Sequence, residues 1–409
     1  MRARWRWRGA AAGAAAVGLA VVPLGFGAGR AGETAAPPAV PAPAPAATPS
    51  SDGFPQLTPA VAARLDEAVR KVLGETGVPG VIVSLSAPGK GEYVRAFGVA
   101  DRATGAPMRT DLNMRIGSVT KTFTVTALLR LVDAGRAGLD DPVGKYVSGV
   151  PNGDRITLRQ LAGMRSGLYN YSEDEGFFKA LTSDPRRPFT PKELLSYSFR
   201  HPVLFEPGAR FAYCNTNLIL LGLVVEKVSG QPLDRYITEQ VVEPAGLRHT
   251  FFPAGAEFPG PHARGYTDQT ADGRVRDAAG WDPSWGWAAG AMVSDLTDLR
   301  SWAATLATGT LLKPATQAQR LRTTEAVPDA GYGLGLFDVA GWIGHNGSLP
   351  GYEALAVHLP EAKATLVVLL NSDISYKGFE PSTAFGEAIT RIVTPRHVFE
   401  LPAQPVTGH

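Results

Sequence analysis

Apolar positions three and four residues apart predict an amphipathic helix between Thr58 and Gly74. Thr58 is a favourable N-cap, and Pro59 suits the first helical position. The apolar positions form a single stripe along the helix: Val61, Leu65, Ala68, Val69, Val72 and Leu73. We therefore expect this helix to dock on a core through one face.

Strand-like patterns occur at both ends of the chain. Residues 80–86 (GVIVSLS) and 92–99 (EYVRAFGV) are rich in β-branched and aromatic side chains, and a turn-forming Pro-Gly-Lys-Gly sequence separates them. Similar patterns return much later, at 342–345, 353–359 and 364–371. A closing helix is predicted over 385–393. We therefore expect an antiparallel sheet assembled from both ends of the chain.

The middle of the chain, residues 118–287, has the pattern of helices and loops. Its most apolar stretch, 218–225, has no polar face and is predicted to be buried on every side. A helical region inserted into an antiparallel sheet is an α/β fold of the α+β kind, with helices flanking the sheet.

Residues 1–31 differ in composition from the rest of the chain. Four arginines precede an uncharged run rich in alanine, glycine, valine and leucine, and small residues surround Ala31. This is typical of a cleaved signal peptide and predicts a secreted, extracytoplasmic protein. An uncleaved anchor is the alternative, although alanine and glycine make a weak membrane span. The predicted divisions are a leader, a Pro/Ala-rich linker, a folded domain and a tail, at 1–31, 32–56, 57–395 and 396–409.

Charge narrows the range of partners once the leader is set aside. The full chain has 40 Lys+Arg against 38 Asp+Glu, and five of the arginines lie in residues 1–31, which leaves 35 against 38. This balance gives no reason to expect nucleic acid or a stable membrane partner. With Cys214 as its only cysteine, the chain has no intrachain disulfide. Its seven histidines lack zinc-ligand spacing, so we predict neither a metal nor a cofactor.

A Ser-x-x-Lys motif, Ser118 to Lys121, stands at the predicted start of a helix that ends at Gly135. Residues three apart share one helix face, so the amine can reach the hydroxyl. The first helical turn also places Ser118 beside free N–H groups that stabilise an oxyanion. A desolvated Lys121 with a lowered pKa could take the serine proton. By itself the motif is weak evidence, expected about once or twice by chance in such a chain.

Two further elements carry candidate chemistry. Tyr213 and Asn215 form Tyr-x-Asn just ahead of the buried helix; a phenol can protonate a leaving group, and an amide can hold a substrate carbonyl or the lysine. An ordinary loop pair is the alternative. His345-Asn346-Gly347-Ser348 ends a predicted strand, where glycine lets a substrate backbone approach and the Ser348 N–H could be a second oxyanion donor. Cys214 is interpreted as a small buried residue.

In their order, the three motifs resemble those of the serine β-lactamase and penicillin-binding superfamily. The chain looks most like the secreted soluble D-alanyl-D-alanine carboxypeptidases and their class C β-lactamase relatives, from about Thr58 to Val393. The matching segments are RIGSVTKTFT (115–124), LVDAGRAGLDDPV (131–143), ITLRQLAGMRSGLYNY (156–171), FEPGARFAYCNTN (205–217), GYGLGL (331–336) and GHNGSLPGY (344–352). The resemblance implies an α/β lobe and an all-helical lobe, at about 118–287, with the site between them. The Gly-x-Ser-x-Gly signature of α/β-hydrolases is absent from the sequence.

The resemblance also implies an activity and a set of site residues. The activity is a D-alanyl-D-alanine carboxypeptidase-like hydrolysis of D-Ala-terminated peptides through a covalent acyl-enzyme. The alternatives are an esterase or D-amino-acid peptidase of the same fold, and a weak β-lactamase or penicillin-binding sensor. The substrate is in each case a small molecule or peptide. The implied residues are Ser118, Lys121, Tyr213, Asn215 and His345 for catalysis, and Ser118, Ser348, Asn346, Gly347 and Trp285 for the oxyanion and substrate.

Several positions depart from the family pattern. His345 stands where class C β-lactamases have lysine, which favours peptidase or esterase activity over lactam hydrolysis. Asn346 stands where the carboxypeptidases usually have threonine. Residues 337–343 contain no cation, although the carboxypeptidases carry there an arginine that helps to hold the substrate carboxylate; the Ser348 hydroxyl could still bind it. Trp285 matches a pocket tryptophan, with a place in the core as the alternative. Either Lys121 or Tyr213 could be the acylation base.

Overall fold

The computed structural model describes residues 53–401, and the main feature of this part of the chain is one large antiparallel sheet. The predicted leader, nearly all of the predicted linker and the end of the predicted tail lie outside the described residues. None of the helices in the described part is long and apolar enough to cross a membrane.

The strands in chain order are β1 (Gly80–Ala87), β2 (Gly91–Gly98), β3 (Met114–Arg115), β4 (Tyr266–Thr267), β5 (Arg276–Asp277), β6 (Val293–Ser294), β7 (Thr324–Val327), β8 (Ala330–Tyr332), β9 (Phe337–Val339), β10 (Trp342–Leu349), β11 (Tyr352–Leu359) and β12 (Ala364–Leu370). The helices are α1 (Pro59–Thr76), α2 (Thr120–Asp133), α3 (Leu158–Ala162), α4 (Glu175–Ser183), α5 (Pro191–Phe199), α6 (Asn215–Ser229), α7 (Leu233–Ile237), α8 (Trp287–Gly290), α9 (Leu296–Thr308), α10 (Pro314–Arg320) and α11 (Pro381–Val393).

Helix α1 begins as the sequence predicts. The Thr58 side chain accepts a hydrogen bond from the Val61 amide, and Pro59 occupies the first helical position. The helix continues past Gly74 and ends at Gly77, whose φ of 68° is the left-handed conformation that closes many helices. A glycine within a helix lowers its stability without ending it, which explains the difference.

The main sheet has the order β2-β1-β12-β11-β10-β9-β8-β7 within the described chain. Strand β1 pairs antiparallel with β12, so the predicted assembly of the sheet from both ends is confirmed. Strands β7, β8 and β9 were not predicted. Each has only three or four residues, which is too short for an alternating pattern to stand out.

Successive side chains of the central strands point alternately into two separate hydrophobic cores. Val81, Val83 and Leu85 lie in a core with residues of α1 and α11, on one face of the sheet. Ile82 belongs to the larger core, which includes the helical region. This division follows from the two-residue period of a strand.

The helical region between β2 and β7 packs around α6. The predicted burial of 218–225 is confirmed, with only Leu223 partly exposed. Helix α6 packs against α2, whose N-terminal end approaches β10. Helix α9 returns to pack on β11 and β12. This arrangement brings the start of α2, the start of α6 and strand β10 close to one another.

Candidate active site

Ser118 lies in a tight 3-10 turn, Gly117–Val119, directly before α2. The sequence predicted Ser118 in the first turn of an α-helix. Ser118 lies instead just before that helix, because the chain enters α2 through this 3-10 turn. Gly117 adopts a φ of 50°, a conformation that glycine reaches without strain. Lys121 lies in the first turn of α2, and its Nζ donates to Ser118 Oγ at 2.8 Å.

Lys121 is fully buried and is held between two uncharged oxygens. Besides Ser118 Oγ, its Nζ donates to the Ala289 carbonyl at 2.8 Å. Burial lowers the pKa of Lys121 well below its usual range, and the charges of Cys214 and Glu380 act weakly in the opposite direction. A neutral amine is therefore favoured beside the Ser118 hydroxyl.

Tyr213 shares this site. Its hydroxyl lies near enough to Ser118 for that side chain to act on its pKa, and the centre of its ring lies 4.9 Å from Lys121 Nζ. Burial raises the pKa of Tyr213 above its usual range, so the phenol keeps its proton. Cys214 is 2% exposed and burial raises its pKa to about 11, consistent with its interpretation as a small buried residue.

Asn215 begins α6, close to Tyr213 in sequence but with different partners. Its side-chain amide donates to Ser172 Oγ at 3.0 Å, and its backbone N–H donates to Asn170 Oδ1 at 3.0 Å. The two hydrogen bonds described above for Lys121 go to other residues. No described hydrogen bond joins Asn215 to Lys121, so the predicted role of Asn215 in holding the lysine has no support from these contacts. Its role in holding a substrate carbonyl stays a prediction.

His345 is buried on β10 and is held in one tautomer. Its Nδ1 donates to the Asn346 carbonyl, which leaves Nε2 to accept from the Tyr332 hydroxyl at 3.2 Å. Burial, with a smaller effect from Lys121, lowers the pKa of His345 to about 3. The imidazole is therefore neutral. Sequence reasoning missed Tyr332, because GYGLGL was used only as a segment that matches the family and no side chain in it was given a role.

The backbone of β10 touches the turn that carries Ser118. A Cβ atom built on Gly347 would lie 2.1 Å from the Ile116 carbonyl oxygen and 2.7 Å from the Ser118 nitrogen. Likewise, a Cβ atom on Gly117 would lie 2.7 Å from the Ser348 nitrogen. Only glycines fit this contact, and the contact brings the Ser118 and Ser348 amides together at the predicted oxyanion position.

Part of β10 forms an open sheet edge beside Ser118. Strand β9 pairs with β10 only at Trp342, Ile343 and Gly344, whereas β11 pairs along the whole strand. From His345 onward, one edge of β10 lies beyond the end of its pairing with β9. An extended substrate backbone can align along such an edge.

Asn346 and Ser348 are partly exposed near this edge and lie on the strand face opposite His345. The Asn346 side chain donates to Glu380 Oε2 at 2.6 Å. Glu380 is the residue just before α11, and sequence reasoning missed it because no motif marks it. Its charge acts on the pKa values of both Lys121 and Tyr213, so it lies close to the site.

Trp285 ends a 3-10 turn and is partly buried. Its carbonyl accepts from the Tyr171 hydroxyl at 2.6 Å, and its ring packs against Phe177 with centroids 5.9 Å apart. The Trp285 ring therefore packs partly against the core of the helical region. Its contact with substrate stays a prediction.

A histidine and two aspartates meet away from the motifs, at a place that sequence spacing did not indicate. His249 Nδ1 lies 2.7 Å from Asp295 Oδ2, and the His249 amide donates to Asp298 Oδ2 at 2.6 Å. Their oxygen and nitrogen atoms are close enough to hold a metal ion. Each carboxylate also accepts a hydrogen bond within the chain, which gives the cluster a structural explanation: Asp295 is the N-cap of α9, and Asp298 accepts from Thr250.

The antiparallel sheet, the helical region and the three motifs between them are the arrangement of the β-lactamase and penicillin-binding superfamily. The chain belongs to the β-lactamase family, whose model matches residues 65–385. The fold and family that the sequence predicted are therefore confirmed.

Relatives of known name differ in activity. The chain is 35% identical over 203 residues to esterase EstB of Burkholderia gladioli, covering 47% of this chain and 52% of that protein. It is 27% identical over 333 residues to a D-aminopeptidase of Brucella anthropi, covering 76% and 61% respectively. The chain thus spans about half to three fifths of the length of these relatives.

A solved structure matches over a larger share of its length. The crystal structure of a D-stereospecific amidohydrolase from a Streptomyces species superposes with a TM-score of 0.73 at 30% identity. The match covers 81% of this chain and 98% of that one. The similarity therefore extends over the sheet and the helical region together.

Proposed function

We propose that this protein hydrolyses amide or ester bonds of D-configured acyl compounds through a covalent Ser118 ester. The observation that carries the proposal is the 2.8 Å contact between Ser118 Oγ and the Nζ of a fully buried Lys121. A neutral lysine next to a serine hydroxyl is a base next to a nucleophile.

The first half of the proposed reaction forms the acyl-enzyme. Lys121 takes the Ser118 proton as Oγ attacks the substrate carbonyl, and the Ser118 and Ser348 amides stabilise the oxyanion. The bond to the leaving group then breaks. Tyr213, close to Ser118 and still protonated, donates a proton to the leaving nitrogen or oxygen, and the proton on Lys121 restores the phenol.

The second half releases the acyl group as an acid. Water attacks the Ser118 ester while the neutral Lys121 amine accepts its proton, and the ester bond breaks as Ser118 Oγ recovers that proton from Lys121. Substrate and water are consumed, and an acid and an amine or alcohol are formed. His345 is neutral in this scheme, so it orients groups through hydrogen bonds and adds no positive charge.

The proposed acyl specificity is supported by the similarity to an amidohydrolase and an aminopeptidase that are both described as acting on D-configured compounds. The 30% identity and near-complete coverage of the amidohydrolase carry the most weight. An esterase activity is the same chemistry with an easier leaving group, which agrees with the similarity to EstB.

The D-alanyl-D-alanine carboxypeptidase activity predicted from the sequence is the second candidate. The observation in its favour is the partly exposed Ser348 side chain near the open edge of β10, where it could bind a substrate carboxylate. The segment 337–343, which forms β9 and the turn after it, contains no lysine or arginine to assist.

The proposal predicts that Ser118→Ala abolishes acylation. Purified protein is incubated with D-phenylalaninamide, L-phenylalaninamide, a p-nitrophenyl ester and benzylpenicillin, and ammonia, nitrophenolate and intact mass are measured. We expect turnover of the ester and the D-amide in the unsubstituted protein. In Ser118→Ala we expect turnover to fall at least about 10⁴-fold, with no mass adduct, because the nucleophile is lost.

Ser196→Ala is the matched control, because Ser196 is an exposed serine of α5. It should leave every rate unchanged. Turnover that survives in Ser118→Ala would contradict the proposed mechanism. A Ser118-dependent adduct without product release would instead identify a penicillin-binding sensor, and equal rates on the two phenylalaninamides would remove the D-specificity.

A further inference from the structure

Three carboxyl groups, those of Glu353, Glu380 and Asp373, lie near one another beside β10 and β11. Glu353 is directly opposite Ser348 across the β10–β11 pair, so both side chains lie on the face of α11. Glu380 accepts from Asn346, two residues before Ser348 on the same face. Asp373 also acts on the pKa of Glu353. None of the salt bridges described within residues 53–401 involves these three carboxyls.

Glu353 and Glu380 differ in their surroundings. Glu353 is 1% exposed, its Oε2 accepts from the Ser382 amide, and its Oε1 has no hydrogen-bond partner among the described residues. Burial and the neighbouring Glu380 raise the pKa of Glu353 well above its usual range. Glu353 therefore holds a proton, which leaves Glu380 as the group able to carry the negative charge of the pair.

Several contacts favour ionised Glu380. Burial raises the pKa of Glu380, and the hydrogen bond donated by the Asn346 amide acts in the opposite direction by stabilising the carboxylate. Glu380 also stands at the N-terminus of the 13-residue helix α11, where the helix dipole favours an anion. The Glu380 side chain is partly exposed, so solvent contact also favours its ionised form.

We propose that Glu380 determines the leaving-group specificity of the site by repelling a substrate carboxylate at the Asn346–Ser348 edge. This inference rests on the proposed function and names its substrate class: acyl compounds whose leaving group is neutral or cationic. An anion bound near Ser348 would lie close to Glu380, with no lysine or arginine in 337–343 to balance it. Like charges placed together in a partly buried site weaken binding strongly.

A pair of dipeptides isolates this effect. D-Alanyl-D-alanine and D-alanyl-D-alaninamide share the acyl group and the scissile bond, and differ only in the charge at the far end. We measure kcat/KM for cleavage between the two residues by following release of D-alanine or D-alaninamide. We expect the amide to be preferred by about tenfold or more, as like-charge repulsion predicts.

Glu380→Gln keeps the shape and the acceptor for Asn346 but removes the charge. We expect this variant to raise kcat/KM for D-alanyl-D-alanine at least about threefold relative to D-alanyl-D-alaninamide. Turnover of a neutral p-nitrophenyl ester shows that the variant is folded. Glu361→Gln is the matched control, because the Glu361 side chain is 72% exposed in the turn between β11 and β12, and it should leave the ratio unchanged.

The outcomes separate the inference from the proposed function. Equal rates on the two dipeptides, a preference for the carboxylate, or an unchanged ratio in Glu380→Gln would overturn the role of Glu380 while leaving the Ser118 mechanism standing. Cleavage of neither dipeptide would also overturn it, because the inference requires that the amide is accepted. Loss of the Ser118-dependent ester turnover would reject the proposed function itself.

Discussion

At the scale of single residues, the site depends on how burial divides protons among Lys121, Tyr213 and His345. Both described hydrogen bonds of Lys121 go to uncharged oxygens, and the charge of Glu380 offsets only part of the cost of burying an ammonium. The same burial keeps the Tyr213 phenol protonated and His345 neutral. One group is therefore ready to accept a proton and another to donate one, which acyl transfer requires.

This division predicts different effects of Tyr213→Phe on two substrate classes. An amide leaves as an amine and needs a proton, whereas p-nitrophenolate leaves without one. We expect kcat for a D-amino-acid amide to fall by roughly 10²–10⁴-fold. The rate on the p-nitrophenyl ester should stay within about threefold, because the loss of one general acid does not affect that step. Both rates are measured at the same pH on the purified variant.

Tyr197→Phe is the control for Tyr213→Phe, since Tyr197 is a partly exposed tyrosine of α5 that is hydrogen-bonded to Glu193. It should change neither rate. An equal loss on amide and ester in Tyr213→Phe would mean that the phenol acts in attack by Ser118, and Tyr213 would then replace Lys121 as the acylation base.

Single residues also show the limit of sequence reasoning. Ser118, Lys121, Tyr213 and His345 were predicted from three short motifs, and the structure brings them together. Glu380 was not predicted. Its relation to the site is a hydrogen bond to Asn346, 34 residues away in sequence, and such a pairing depends on the packing of α11 against β11 and β12. No local sequence pattern indicates the pairing of Glu380 with Asn346.

At the scale of elements, the contact between β10 and the Ser118 turn sets the relative position of the two amides that are the proposed oxyanion donors. Gly117 and Gly347 let the two backbones meet, and this contact positions the Ser118 and Ser348 amides. The sequence predicted that a substrate backbone approaches the strand edge at Gly347, and this stays a prediction. The structure shows that the turn before α2 also packs closely on Gly347, which could not be predicted without knowing how the two elements pack.

Gly347→Ala is predicted to separate these elements. The added methyl group would clash with the Ile116 carbonyl and the Ser118 nitrogen, so β10 must move and the Ser348 amide moves with it. We expect kcat to fall by about 10²-fold or more on amide and ester alike, because both need the oxyanion site. Rates are measured on folded protein, verified by circular dichroism.

Gly74→Ala is the comparison for Gly347→Ala, because a Cβ atom at Gly74 in α1 would meet no atom within 4 Å. It should leave kcat unchanged and stabilise α1 by roughly 0.5–1 kcal/mol, as expected when alanine replaces glycine within a helix. Full activity in Gly347→Ala would show that the Ser348 amide is not an oxyanion donor.

At the scale of the whole molecule, the sheet separates two hydrophobic cores, of which only one adjoins the candidate active site. The core with α1 and α11 lies on one face, whereas the helical region and His345 lie toward the other. The apolar runs of β1 and β12 predicted strands of an antiparallel sheet. They could not predict which helix covers which face, because both faces are apolar and the assignment depends on chain path.

The start of the folded domain gives a test of this separation. Phe54 falls within the predicted linker, yet it is 5% exposed and belongs to the core with α1 and α11. A chain that begins at Leu57 lacks this ring. We expect its free energy of unfolding to be about 3 kcal/mol lower than that of a chain beginning at Gly53, the usual loss for a buried phenylalanine. Its kcat should be unchanged, because this core lies on the face away from Ser118.

Phe54→Ala in the chain beginning at Gly53 should reproduce most of that loss, measured by chemical denaturation. Gln56→Ala should not, since the Gln56 side chain makes only an exposed hydrogen bond to Gly89. If the chains beginning at Gly53 and Leu57 are equally stable, Phe54 contributes nothing and the domain begins at residue 57. If kcat falls together with stability, the two cores are coupled through the sheet, and β10 transmits the strain to the Ser118 turn.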